Sequence, residues 1–140
     1  MKEESFSSDR APQPVGPYPH ARRVGNLLFL SGVGPRKRGV KEIPGVTLDE
    51  KGNIVSYSIE EQCHSVFENV KLILESSGSR WENLVDVTVF LTNMKDFSTY
   101  NKIYKEYFPN PATQPCRTTV EVNALPTSIA IELKCIAAID

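Results

Sequence analysis

The sequence predicts an α+β domain in which two helices cover one face of a mixed sheet. Three observations predict it. Residues 59–74 and 97–107 repeat apolar side chains at helical spacing, whereas residues 27–33, 84–91, 115–122 and 129–139 are rich in aliphatic and β-branched residues. The resulting order is hairpin, helix, strand, helix, strand, strand. At 140 residues the chain is one domain, long enough to bury roughly two-thirds of its unfolded surface.

Residues 1–16, with Pro12, Pro14 and Gly16, read as a loose N-terminal arm, and residues 17–140 as the single folded domain. The apolar run Leu27-Leu28-Phe29-Leu30-Ser31-Gly32-Val33 is a buried strand. Residues 18–24 are its hairpin partner, turning at Gly25-Asn26. Residues 34–53 form a long polar connection punctuated by Gly and Pro, a length that is usually functional or mobile. Ser58 followed by Glu61 is a capping box that opens the first helix. Its stripe is Ile59, Cys63, Val66, Val70, Ile73 and Leu74, and Gly78 ends it. Leu84-Val85-Asp86-Val87-Thr88-Val89-Phe90-Leu91 is the next strand. Asp96 is placed to cap the second helix, whose stripe is Phe97, Tyr100, Ile103, Tyr104 and Tyr107. Pro109 and Pro111 stop it.

Two charges stand inside the apolar C-terminal strands. Arg117 lies in Pro115-Cys116-Arg117-Thr118-Thr119-Val120-Glu121-Val122, and Glu132 in the segment 129–139. A charge in such a strand is costly unless it is paired or used. Two strands joined by the turn 123–128 would bring Arg117 close to Glu132. A structural salt bridge and a functional pair are both open at this point. The last strand carries a second message. Ile129, Ile131, Leu133, Cys135, Ala137 and Ile139 face one way; Ala130, Glu132, Lys134, Ile136 and Ala138 face the other. Both faces are substantially apolar, and two helices cover only one, so a partner subunit is expected over the other.

Composition excludes several classes. The formal net charge is −1, so no global field recruits nucleic acid or anionic membrane. No apolar run approaches the ~20 residues of a spanning helix. The start of the chain, Met1-Lys2-Glu3-Glu4-Ser5, lacks a signal-peptide core, and Cys63, Cys116 and Cys135 are odd in number. These features lead us to expect reduced thiols and a cytoplasmic protein. His20 and His64 lack a spaced ligand set, so no metal site is expected. His64 lies beside the first helix's apolar stripe, a structural or exposed position. Gly32-x-Gly34 is not followed by Gly-Lys-Ser/Thr, which argues against a phosphate loop. Arg36-Lys37-Arg38 reads as a solvated loop cluster, with an acidic substrate or nucleic acid as the alternative partner. Cys116 adjoins Arg117, whose charge would favour a thiolate, although a small packed residue is the commoner meaning.

The residues 115–122, with Leu125-Pro126 and Ile131-Glu132-Leu133, resemble the C-terminal signature of the RidA/YjgF family. The resemblance runs over residues 11–139. It includes Ala11-Pro12, Val15-Gly16-Pro17-Tyr18, Leu30-Ser31-Gly32, Glu68-Asn69-Val70-Lys71, Tyr100-Asn101 and Tyr104-Lys105-Glu106-Tyr107-Phe108. It implies a chorismate-mutase-like fold and a homotrimer with clefts between subunits. It also implies hydrolysis of reactive 2-imino or 2-enamino acids to 2-oxo acids and ammonia, with no metal or organic cofactor. The chain departs from the family pattern at Val33, where glutamine is frequent, and at Thr119, where cysteine is frequent. Its longer connection, with Tyr18-Pro19-His20 upstream, is similar to the 2-aminomuconate deaminase branch.

Such chemistry needs a grip on the substrate carboxylate and a group to activate water. Arg117 suits the first, since its planar fork matches a carboxylate. Glu132 suits the second, as a base within hydrogen-bond reach of water. Glycine at position 32 allows close backbone approach. By resemblance, Tyr18 and Asn101 line the same cleft and bind substrate with Gly32 and Arg117. The expected partner is a small-molecule carboxylate. The rival readings are a non-enzymatic trimer acting as a ligand sensor or chaperone-like protein, and a translation inhibitor or ribonuclease. Near-zero net charge and the lack of a long basic stripe argue against nucleic acid.

Overall fold

Ten elements follow one another in a computed structural model that describes residues 1–140. They are β1 (Glu3–Phe6), β2 (Ala21–Val24), β3 (Leu27–Leu30), β4 (Val46–Leu48), β5 (Ile54–Tyr57), α1 (Ile59–Ser76), β6 (Leu84–Leu91), α2 (Phe97–Tyr107), β7 (Cys116–Glu121) and β8 (Ile131–Ala138). Six strands form one sheet in the order β1-β2-β3-β8-β6-β7, while β4 and β5 form a separate ribbon. Only β6 and β7 pair in parallel, joined through α2; every other pairing is antiparallel.

The helices form where the periodicity places them. Ser58 Oγ accepts from Glu61 N at 3.2 Å, and Cys63, Val66, Val70, Ile73 and Leu74 are buried against the sheet. The reciprocal half of the capping box is absent because Ser58 N donates instead to the Gly45 carbonyl at 2.7 Å. Glycine is required at position 45: φ is +75°, and a Cβ there would lie 2.9 Å from Glu61 Cβ. Gly78, at φ +81°, ends α1, and Ser79 N closes the turn onto the Leu74 carbonyl at 2.9 Å. In α2, Tyr100, Ile103 and Tyr104 are buried. Asp96 does not cap α2 as the sequence suggests. Its Oδ2 accepts from the Tyr57 hydroxyl at 2.6 Å and so ties the β4–β5 ribbon to the helix start.

Three further expectations are corrected. Residues 1–16 are not a loose arm. Residues 3–6 pair with β2 as an edge strand, and Ser8 and Ala11 are buried. His20 holds this segment from below. Its Nδ1 accepts from Ser8 N at 2.9 Å, and its Nε2 bonds the Pro12 carbonyl at 2.7 Å. The long connection is not wholly irregular, since it contains β4, whose hairpin turn is organised by Asp49 accepting from Lys51 N and Asn53 N. The third correction concerns β7 and β8. They are not neighbours, because β6 lies between them.

Alternation along β8 separates the two faces. Ile131, Leu133, Cys135 and Ala137 are buried beneath α1 and α2, with Val87, Val89 and Leu91 of β6 beside them. The opposite face carries Glu132, Lys134, Ile136 and Ala138, all half-buried. No helix covers it. Leu27 and Phe29 of β3 stand there opposite Ala138 and Ile136, and Val120 of β7 opposite Phe90. Leu27, Phe29 and Val120 are exposed at 43, 37 and 36%. An apolar sheet face of this kind in a single copy of the chain marks an interaction surface.

Candidate functional site

Arg117 points into the helix layer. It pairs in register with Val87, whose side chain faces the helices. Its guanidinium carbon lies 4.6 Å from the ring centre of Tyr104, 5.4 Å from that of Tyr100 and 5.8 Å from that of Phe97. Its Nη1 donates to Asn101 Oδ1 at 2.7 Å. All four partners come from α2, whose spacing of three and four residues stacks them over one strand position. The rings accept the cation through their π faces, and the amide is neutral, so the charge is held without being cancelled. The Tyr104 hydroxyl is buried without a hydrogen-bond partner, and burial pushes its pKa up. Arg117, Asn101 and Tyr104 line one depression with Lys105, Gln114 and Pro115.

Glu132 occupies the other face of the sheet, opposite Phe90 in register. Desolvation pushes its carboxyl above the ordinary value of 4.5, while the Arg36 charge pulls the other way. Gly32 closes on it so tightly that a Cβ there would stand 3.1 Å from Glu132 Oε2. Glycine at 32 thus clears space beside the carboxylate, in addition to the close backbone approach that the sequence suggests. Gly32 lines a cavity with Tyr18, Ser31, Gly34 and Arg36. The Tyr18 hydroxyl accepts from Val15 N at 3.1 Å, and Ser31 Oγ donates to the Pro19 carbonyl at 2.7 Å.

The structure therefore brings Arg117 together with Asn101, and Glu132 together with Gly32. It places Tyr18 with Gly32. It does not bring Arg117 to Glu132 within one copy. They sit on opposite faces of the sheet, on strands separated by β6. The internal salt bridge left open by the sequence is absent. The chain's ion pairs are Arg10–Glu75 and Arg22–Glu3, both exposed. The sequence misled because the turn before β8 is long enough to step over β6. Val122 N donates to the Leu91 carbonyl, and Thr92 N to the Ala130 carbonyl, as the chain crosses its end.

The remaining candidates resolve plainly. Cys116 is exposed and unpaired, whereas Cys63 and Cys135 are buried, their thiols pushed up to about 12 by desolvation. His64 is exposed, its Nδ1 2.7 Å from the Tyr107 hydroxyl. Three or more His, Cys, Asp or Glu side chains converge nowhere in a way that could hold a metal ion. No helix is long and apolar enough to cross a membrane. Sequence reasoning missed Ser31 as a wall residue, although it lies in the quoted Leu30-Ser31-Gly32 motif. It also read Arg36, Lys37 and Arg38 as one cluster. Lys37 is exposed, whereas Arg38 Nη1 donates to the Ser8 and Ala11 carbonyls at 3.1 and 2.9 Å and so anchors the N-terminal segment.

The fold defines a class: an α+β domain with two helices layered on one face of a mixed sheet. Within that class, the family described as Endoribonuclease L-PSP matches residues 8–139. The chain belongs to this family, the RidA/YjgF family. It is 40% identical over 139 residues to Reactive Intermediate Deaminase A, chloroplastic, of Arabidopsis thaliana, covering 99% of this chain and 67% of that one. It is 34% identical to the 2-iminobutanoate/2-iminopropanoate deaminase of Dermatophagoides farinae, covering 96% of this chain and 95% of that one. Among solved structures, E. coli TdcF with bound serine superposes with a TM-score of 0.83 at 30% identity, covering 98% of this chain and 99% of that one.

Proposed function

We propose that this chain is an imine/enamine deaminase that hydrolyses small 2-imino or 2-enamino carboxylic acids to 2-oxo acids and ammonia. The observation that carries the reading is Arg117. It is a guanidinium ringed by three aromatic side chains, hydrogen-bonded to a neutral amide and free of any carboxylate. Its remaining N–H donors suit a bidentate carboxylate. The deaminase names of the relatives from Arabidopsis thaliana and Dermatophagoides farinae support the same class. A 2-aminomuconate-like dicarboxylate is a further substrate under this reading. A ribonuclease reading fits less well, since neither half-site carries a basic stripe for a phosphate backbone.

The site closes between copies in a homotrimer. One copy offers Arg117 and Asn101; its neighbour offers Glu132, Gly32 and Tyr18. One half supplies Arg117 and the other Glu132, and the uncovered apolar face supplies an interface. With the substrate carboxylate on Arg117, Glu132 takes a proton from water as the oxygen attacks C2 of the C=N bond. The substrate reacts as its protonated iminium form, so the electron pair of that bond moves to nitrogen and gives a neutral carbinolamine bearing an NH2 group. The proton held by Glu132 passes to the nitrogen, the C–N bond breaks, and ammonia leaves as the hydroxyl oxygen forms the new C=O. The hydroxyl proton is released to solvent, or back to the carboxylate. Desolvation of Glu132 makes it a better base for this step than an ordinary surface carboxylate.

The test is ammonia release from freshly generated 2-iminopropanoate and 2-iminobutanoate. Arg117→Ala is expected to lower kcat/KM by about ten- to a hundred-fold or more, and Arg117→Lys not to restore it. Wild-type turnover by either variant would defeat the assignment.

A further inference from the structure

Arg36 is the unused charge in the wall of the cavity lined by Gly32, the residue packed against Glu132. Segment 34–36 is clamped onto α1: Asn69 Nδ2 donates to the Gly34 and Arg36 carbonyls at 2.9 and 2.6 Å, and Ser65 Oγ to the Pro35 carbonyl at 2.9 Å. The backbone of Arg36 is therefore fixed although it lies outside a regular element. Its Nη2 donates to the Gln13 carbonyl at 2.8 Å. That contact uses one of five donors and a neutral acceptor, so the cation keeps its charge and most of its fork. No carboxylate forms an ion pair with it. Of the three consecutive basic residues, Arg36 alone lines the cavity with Tyr18, Ser31 and Gly32.

We infer that Arg36 selects substrates carrying a second acidic group, so that the favoured ligands of this cleft are 2-imino dicarboxylic acids and the corresponding 2-oxo dicarboxylates. The inference rests on the proposed closure of the cleft between two copies. Arg117 holds the carboxylate next to the reacting carbon, and Arg36 meets the distal one. A guanidinium held at a fixed distance from the reacting end favours one chain length over a short aliphatic tail, which leaves the cation unmatched. A competing role is purely electrostatic, in which Arg36 offsets the desolvation of Glu132. That role would act on every substrate alike.

Binding of stable 2-oxo acids separates these roles without needing turnover. Calorimetry on the wild-type protein is expected to give about ten-fold or more tighter binding of 2-oxoglutarate than of 2-oxobutanoate. Arg36→Gln is expected to erase that preference and leave 2-oxobutanoate binding unchanged. Arg36→Lys, keeping charge but not the fork, should retain part of it. The preference should shrink as salt rises. Thermal unfolding of each variant checks that the wall remains folded. No preference in the wild type, or equal weakening of both ligands by Arg36→Gln, overturns the inference. Ammonia release from the imines of glutamate and alanine is followed in parallel. Turnover of the alanine imine without a binding preference sinks Arg36 but leaves the deaminase reading. A binding preference without turnover of any imine does the reverse.

Discussion

The Arg117 and Glu132 regions solve opposite problems with charge. Arg117 is a cation wrapped in the aromatic layer of α2 and held by a neutral amide. Glu132 is a carboxylate on the uncovered face, partly desolvated and opposed only from a distance by Arg36. Neither is neutralised by a contact ion pair. A stable monomer has no need of two such unmatched charges on an apolar sheet, since burying them costs free energy without pairing. Their separation across the sheet shows that one copy of the chain cannot hold a single ligand with both. Under the proposed function, the two charges become two halves of one requirement.

Subunit mixing is the most severe way to break this comparison. Arg117→Ala and Glu132→Gln should each be nearly inactive as homotrimers. Mixed one to one after unfolding and refolding, they should recover about a quarter of wild-type activity, because in a cyclic trimer one interface in four joins the two intact halves. No recovery, with both variants folded and the mixed species verified, would dismiss the shared site. Sedimentation supplies the companion observation: the uncovered face should keep the wild type trimeric at micromolar concentration. A charged substitution at Phe29, which stands on the uncovered face and is 37% exposed, should shift it toward monomer.

Acid should affect the two halves differently. The Glu132 half carries the acid-sensitive group, since its carboxyl must be ionised to accept a proton. Its raised folded-state pKa places loss of activity at a higher pH than an ordinary glutamate near 4.5 would give. The stability contribution has the opposite sign. Between the ordinary and the raised pKa the native state binds more protons than the unfolded one, so stability falls as pH rises through that window. Activity should therefore rise while stability declines over the same interval. Glu132→Gln should remove the acid limb of any residual activity and flatten the stability profile. An acid limb unchanged in that variant would assign it to another group.

Much of the fold was legible because it is written in local periodicity. The stripes of α1 and α2, the stop at Gly78 and the two-sided composition of β8 are all statements about residues a few positions apart. Strand order is not. Nothing between Val122 and Ile129 specifies that the chain steps over β6 instead of turning back beside β7. That non-local choice decides which face receives Arg117, so candidate residues could be named individually while their grouping could not. The same limit hid the role of the N-terminal segment. Pro12 and Pro14 suggest irregular backbone, but the order of residues 8–12 comes from His20 and Arg38, distant in sequence.

The smallest expected effect probes why Arg117 is available at all. If its fork stays open because Asn101 is neutral, then changing that partner's charge should matter more than removing it. Asn101→Leu deletes one hydrogen bond but leaves the aromatic rings in place, so carboxylate binding should weaken only a few-fold, within the ~1 kcal/mol typical of such a contact. Asn101→Asp keeps an acceptor at the same position and adds a negative charge. The aspartate would form a contact ion pair with Arg117 and compete with the ligand for the same donors. Binding should then fall by about ten-fold or more, since hydrogen bonds between charged groups contribute ~1.5–3 kcal/mol. The aspartate variant should also unfold at a temperature no lower than the leucine variant, because the pair is satisfied internally. Titration with 2-oxobutanoate measures both. If the leucine variant binds worse than the aspartate one, Asn101 itself contacts ligand, and Arg117 is not kept free by the neutrality of its partner.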